Sequence, residues 1–174
     1  SIKKSLLICP AEKITRQLKK NKSITCLASS HPVPDEKSIE AGLVLLDFLA
    51  KLEASDELLF LISGGTSALV EVPIDSISLE QLQAINHYLL SSGKDIFQVN
   101  AWRQQCSRIK GGGLLNHIKQ ASVTQLLLSD VKGDKAEFIG SGLLVHSSAS
   151  PDQDDYLSSL PAADKIDRQH AQPG

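Results

Sequence analysis

The feature that most constrains this chain is a short apolar run, Leu58 to Ile62, that stops abruptly at Ser63-Gly64-Gly65. A run of this length closed by glycines reads as a strand apolar on both faces, the kind that helices cover from two sides of a parallel sheet. Three more segments read as strands: Ser5 to Cys9, Ser23 to Ala28, and Val123 to Ser129, the last ending at Asp130. The intervening stretches have helical character. Ala11 to Lys20 is polar and reads as a helix, and Asp35 is placed to cap a helix in which Ile39, Leu43, Leu46 and Ala50 recur at helical spacing towards Leu52. Ser78 and Gln81 have the spacing of a capping box for a helix with Leu82, Ile85 and Leu89 inward, ended by Gly93, and a further helix starts at Asp95. Strand, helix, strand in succession predicts an α/β fold with a three-layer, mostly parallel, Rossmann-like sheet and helices on both faces.

The 174 residues suffice for one such domain. We expect it to occupy residues 1–146. From Ser147 onward Ser, Ala, Pro, Asp and Gln dominate, and Asp164 to Gly174 has almost nothing apolar to bury, so residues 147–174 are expected to form a poorly ordered polar tail. A formal net charge of −2 gives no basic field for a nucleic-acid backbone or an anionic lipid surface, so neither nucleic acid nor membrane is expected as a partner. The apolar runs also fall far short of the roughly 20 residues a spanning helix needs. Cys9, Cys26 and Cys106 show no C-x-x-C spacing, which points to reduced thiols and a cytoplasmic setting.

In open parallel sheets, ligands bind outside the carboxyl ends of the strands. Two apolar strands here end in polar turns, Ser63-Gly64-Gly65 and Asp130-Val131-Lys132-Gly133-Asp134, so both turns are expected at one edge. Gly64 and Gly65 free the backbone, while Ser63, Thr66 and Ser67 add hydroxyl donors suited to carboxylate or phosphate oxygens. Asn100 and Arg103 share a polar stripe on their helix. Arg103, Arg108 and Lys110 lie beside Gly111, Gly112 and Gly113, a combination of fixed positive charge and accessible backbone amides that reads as a cradle for a transferring phosphoryl group. Asp130 and Asp134 supply carboxylates of the kind Mg²⁺ takes, and His31 sits at a strand end facing the same edge. Neither G-x-G-x-x-G nor G-x-x-x-x-G-K-[ST] occurs, so the common dinucleotide and phosphate-loop motifs are absent.

Taken together, Ser30-His31-Pro32-Val33-Pro34-Asp35, Leu61-Ile62-Ser63-Gly64-Gly65-Thr66-Ser67-Ala68-Leu69, Asn100-Ala101-Trp102-Arg103, Ser107-Arg108-Ile109-Lys110-Gly111-Gly112 and Ser129-Asp130-Val131-Lys132-Gly133-Asp134 resemble the glycerate 2-kinases in order and spacing. The resemblance covers roughly Ser5 to Gly142. It implies phosphorylation of the 2-hydroxyl of D-glycerate with ATP and Mg²⁺ as cofactors, and a small hydroxy acid and a nucleotide as binding partners. Carried over by motif, it places His31, Asp35, Ser63, Gly64, Gly65, Ser67, Asn100, Arg103, Arg108, Lys110 and Asp130 at the site, where Lys110 does not stand in for the family's own catalytic lysine. Joined to the phosphate-cradle reading of the residues, this gives Asp130, Arg103 and Lys110 as the expected catalytic groups, and His31, Asp35, Ser63, Gly64, Gly65, Ser67, Asn100, Arg108, Gly111 and Gly112 as the expected ligand-binding ones. Metal binding falls to Asp130 and Asp134. Members of that family are longer, with a glycine-lysine motif upstream that carries a catalytic lysine and a second domain downstream. Neither is found in this sequence, which also has Lys135 and Ser141-Gly142-Leu143-Leu144 where the family usually has another aspartate and a Ser-Gly-Pro-Thr turn. The chain by itself is therefore expected to be an incomplete and inactive portion that relies on a second domain or subunit. A non-catalytic anion-binding or subunit module is the alternative. Hydroxypyruvate reductase, a label also used in that family, is a third and weaker reading for want of a dinucleotide fingerprint.

Overall fold

The computed structural model describes residues 2–118 and 121–147. Residues 148–174, which hold nearly all of the expected tail, lie outside the described residues. Strand β1 (Ser5–Cys9) pairs in parallel with β2 (Ile24–Ala28), and β3 (Glu57–Ile62) pairs in parallel with β4 (Ser122–Leu127). Between β1 and β2 the chain does not form one helix as expected. It makes a 3-10 turn, Ala11–Lys13, and then a short helix α1 (Arg16–Lys20). The break falls at Thr15, whose side chain leaves the helical course to accept a hydrogen bond from the Leu18 amide.

The longer helices follow their local signals. Helix α2 (Glu36–Ala50) starts at Asp35, whose carboxylate takes the amides of Lys37 and Ser38 while the Ser38 hydroxyl accepts the Asp35 amide. After β3 and the glycines comes one turn of helix, α3 (Thr66–Leu69), then α4 (Leu79–Ser91) and α5 (Ile96–Gln105). The Ser78–Gln81 capping box is formed, Gly93 adopts a φ of +70° beyond the end of α4, and Asp95 caps α5 through the Gln98 amide.

The α/β character and the parallel pairing are thus as expected, but the sheet is divided. The described strands form two separate two-stranded sheets, β1–β2 and β3–β4, instead of one three-layer sheet. One core serves both: Leu45 and Leu49 of α2 pack with Ile62, Leu69, Ile109 and Leu114, and Leu6, Ile8, Val123 and Leu127 press against them. A second core lies between α4 and α5, where Leu82, Ile85 and Leu89 meet Val99, Trp102 and Cys106. The expectation that β3 is covered on both faces is not met. Leu59 and Leu61 stay 54% and 73% exposed because the described residues place no layer over that side. Among the described residues no helix is long and apolar enough to cross a membrane.

Candidate active site

In-register parallel pairing puts the ends of β3 and β4 side by side, with Ile62 opposite Leu127 and the Leu128 amide bonded to the Ile62 carbonyl. The turns that follow these strands therefore meet at one edge, as their sequences imply. The contact depends on the glycines. A Cβ on Gly64 would lie 2.0 Å from Asp130 Oδ2, and one on Gly65 would lie 2.8 Å from His31 Cδ2. Gly65 also adopts a φ of +82°, a left-handed conformation that side-chain-bearing residues rarely take. The loop is a thin floor with a carboxylate pressed on one residue and an imidazole on the next. The end of β2 is tied to the same region by Ser29, whose hydroxyl donates to the Leu69 carbonyl at 2.6 Å.

Above this floor opens a cleft of about 260 Å³. His31, Gly64, Gly65, Ser67, Asn100, Arg103 and Asp130 all line it, so seven of the residues singled out from sequence are brought together by four different segments. Its remaining polar lining comes from Asn86 of α4, and its apolar rim includes Leu90, Ile96 and Phe138. Asn86 is buried, donates from Nδ2 to the Leu82 carbonyl at 2.9 Å, and accepts the Arg103 Nε–H on Oδ1 at 3.0 Å. Asn100 is buried too, donating to the Ile96 carbonyl and accepting the Ser141 hydroxyl at 2.8 Å. Ser141 in turn shares a hydroxyl–hydroxyl bond of 2.8 Å with Ser67, and it holds a φ of +57° between these two partners. Burial lowers the pKa of Arg103 while the charge of Glu71 raises it; a guanidinium so far above neutrality stays charged throughout.

The other expected site residues stand elsewhere. Asp35 is the cap of α2, with Ser30 donating to its second oxygen, and Ser63 is exposed, its carbonyl accepting the Thr66 hydroxyl. Asp134 is exposed at a φ of +50° and does not line the cleft, and among the described residues no group of three or more acidic, histidine or cysteine side chains is arranged to hold a metal ion. Arg108 is exposed and approaches Asp75 at 3.6 Å.

The largest departure is the Lys110–Gly113 turn. Lys110 is buried and its ammonium is bonded to the equally buried carboxylate of Glu71. The Gly111 and Gly112 amides donate to the carbonyls of Ser141 and Gly142, at 3.0 and 2.7 Å, and Gly113 donates to Lys110. Amides committed to the protein and a lysine committed to a glutamate leave this turn nothing to offer a phosphate. It joins the segment around Ser141 to the core instead. Two residues that matter here escaped the sequence reading, although each leaves a trace. Glu71 is a lone carboxylate within Ala68-Leu69-Val70-Glu71-Val72, and Asn86 is an amide beside the inward apolar stripe of α4.

The architecture and its cleft define an α/β protein with a small polar site at the carboxyl ends of parallel strands. Comparison with known proteins makes this specific. Residues 2–169 match the family described as a domain of unknown function, DUF4147, and the chain belongs to that family. Among its curated relatives are a D-glycerate 2-kinase of Thermotoga maritima, 41% identical over 114 residues, and a glycerate 2-kinase of Pyrococcus horikoshii, 43% identical over 124 residues. The human glycerate kinase is 42% identical over 116 residues. These alignments take in 66%, 71% and 67% of this chain but only 27%, 28% and 22% of the respective relatives. A crystal structure of the Thermotoga maritima glycerate kinase superimposes with a TM-score of 0.69 at 28% identity, covering 98% of this chain and 45% of that one. A Pyrococcus horikoshii structure gives a TM-score of 0.70 at 33% identity, covering 82% and 37%.

Proposed function

We propose that this chain carries the substrate-binding part of a D-glycerate 2-kinase, which transfers a phosphoryl group from ATP to the 2-hydroxyl of D-glycerate with Mg²⁺. The observation that carries this reading is the convergence of His31, Ser67, Arg103 and Asp130 on one cleft with a floor of Gly64 and Gly65. At about 260 Å³ the cleft is below the range of roughly 300–1,000 Å³ for drug-sized ligands, a size in keeping with a three-carbon hydroxy acid. Arg103 suits the carboxylate of such a substrate, and Ser67 and His31 suit its hydroxyls. Magnesium takes one or two carboxylates together with the phosphates of its nucleotide, and Asp130 offers one, seated in space that a Cβ on Gly64 would fill. When bound there, the ion supplies charge neutralisation for the transferring phosphoryl group. Of the three groups expected to be catalytic, the reading keeps Asp130 and Arg103 and gives Lys110 a supporting place through Glu71.

The same reading leaves the nucleotide to be held largely by a second domain or subunit, since the Lys110–Gly113 turn has its amides engaged internally. A cytoplasmic enzyme is in keeping with the three unpaired thiols Cys9, Cys26 and Cys106. Calorimetric titration of the 174-residue chain with D-glycerate and with glycerol at fixed low salt tests the proposal. Saturable binding of D-glycerate alone is expected, together with no measurable 2-phosphoglycerate formation from ATP, Mg²⁺ and D-glycerate. Failure of D-glycerate to bind, or equal binding of glycerol, would reject the cleft as a glycerate site.

A further inference from the structure

The polar groups around the cleft divide into those already spoken for and those left open. Asn86 and Asn100 use both ends of their amides within the protein, and Ser67 gives its hydroxyl proton to Ser141, whose own proton goes to Asn100, so that Ser67 keeps only its acceptor side for a ligand hydroxyl. Among the described residues, Arg103 has a single hydrogen bond, from Nε to Asn86, so Nη1 and Nη2 have no protein partner there. That bond holds the guanidinium by its side and leaves the two terminal nitrogens as a planar pair of donors, the geometry that meets two oxygens at once. Asn86 is well suited to hold it. It is only 3% exposed, its amide is anchored on its own helix by the Leu82 carbonyl, and α4 and α5 are locked together by the core that includes Leu82, Leu89, Val99 and Trp102. The buried Glu71 adds an attractive field on Arg103 from within the domain.

We infer that Arg103 is the fork that recognises the ligand's carboxylate, and that Asn86, on the neighbouring helix, is the positioning residue that fixes the fork before the ligand arrives. This rests on the glycerate reading of the cleft and names which part of the substrate the helix pair reads. A lysine at 103 would keep the charge but not the fork, and an apolar residue at 86 would keep the helix but leave the guanidinium free to rotate, so that orientation would have to be recovered on binding. Asn86 touches no substrate atom in this account; its effect passes wholly through Arg103.

The test compares D-glycerate with D-glyceramide, in which a neutral carboxamide replaces the carboxylate, by calorimetry at fixed salt. Wild type is expected to prefer D-glycerate, Arg103→Gln to lose about 10- to 100-fold in D-glycerate affinity with little change for D-glyceramide, and Arg103→Lys to fall close to Arg103→Gln. Asn86→Ala is expected to weaken D-glycerate about 3- to 10-fold, again sparing D-glyceramide, and to have no further effect in an Arg103→Gln background. An Asn86→Ala effect of equal size on both ligands, or one that persists without Arg103, would make Asn86 a merely structural residue and overturn the inference. A measurement on the wild-type chain needs no variant to fold: in nitrogen-15 spectra the Arg103 Nε–H is expected to exchange slowly and to stay in place on titration, while the Nη signals shift. The reverse pattern would also overturn it. D-glycerate binding that Arg103→Gln leaves unchanged sinks this inference but not the glycerate site, whereas no D-glycerate binding by wild type removes both.

Discussion

Lys110 shows how little a residue's identity says about its work. Beside three glycines it has the appearance of a phosphate ligand, yet its ammonium lies 39 positions from its partner in sequence and in a buried ion pair with it. Glu71 is clamped in turn: its amide bonds to the Ser38 carbonyl of α2, its own carboxylate takes the Val72 amide, and Gly42 packs so close that a Cβ there would sit 2.1 Å from the Glu71 carbonyl oxygen. The same surroundings silence the nearby thiol, since burial first and the Glu71 charge second push the Cys106 pKa up to about 12 despite the opposing charge of Lys110. Removing one member of a buried pair strands the other in a medium that cannot solvate it, which costs about 3–5 kcal/mol, whereas replacing both by apolar residues is often neutral. Lys110→Met and Glu71→Gln are therefore each expected to lower the urea midpoint sharply, and Glu71→Leu combined with Lys110→Met to recover most of the loss. Single variants as stable as wild type would show that water reaches and solvates the pair.

At the scale of elements, the legible features are the ones decided within a few residues. The caps at Asp35, Ser78 and Asp95, the strand Glu57–Ile62 and the φ of Gly93 all follow from side chains within one turn of the feature they set. Longer-range choices were hidden. Which glycine turn faces the ligand depends on where Ser141 and Gly142 present their carbonyls, and the pairing of Asn86 with Arg103 depends on how α4 lies against α5; neither is encoded near the residues concerned. Asp35 lies on both sides of this divide, because it was legible as a cap and was also expected at the ligand. Burial tends to raise its pKa, but the Ser30 hydroxyl and the amides of Ser38 and Lys37 outweigh that and leave it below the ordinary 3.8. A carboxylate depressed on folding stabilises the fold above its unfolded pKa, and that contribution is lost as pH falls through the lower, folded value. Asp35→Ala is expected to cost about 0.5–2 kcal/mol at pH 7. Followed by thermal melts, its deficit relative to wild type should shrink steadily once the pH drops below 3.8. A deficit independent of pH would mean that the charge on Asp35 plays no part in the cap.

For the molecule as a whole, the described residues enclose a cleft and two cores yet leave one broad face of the β3–β4 sheet without a covering layer. Side chains alternate along a strand, so Leu59 and Leu61 on β3 point the same way as Leu126 on β4, and Leu61 and Leu126 are direct partners in register. Together with Leu128 just beyond β4, these residues are 54%, 73%, 57% and 73% exposed, a contiguous apolar surface of a kind that soluble monomers seldom present. The curated relatives are considerably longer than the aligned segment, which accounts for 27% and 28% of the two glycerate 2-kinases. Among the described residues this face is open to water, and burying it against another copy is the nearest relief. We therefore expect the isolated chain to self-associate as concentration rises, with mass shifting upward in sedimentation velocity across a dilution series. Threonine suits a solvent-facing strand position, and exposed substitutions usually alter stability by no more than about 0.5 kcal/mol. The combined variant Leu59→Thr, Leu61→Thr and Leu126→Thr should thus keep the wild-type melting temperature closely while remaining monomeric to higher concentration. Association that persists unchanged in the variant would move the contact to another surface, and a large loss of melting temperature would show that the three leucines are packed against something within the chain.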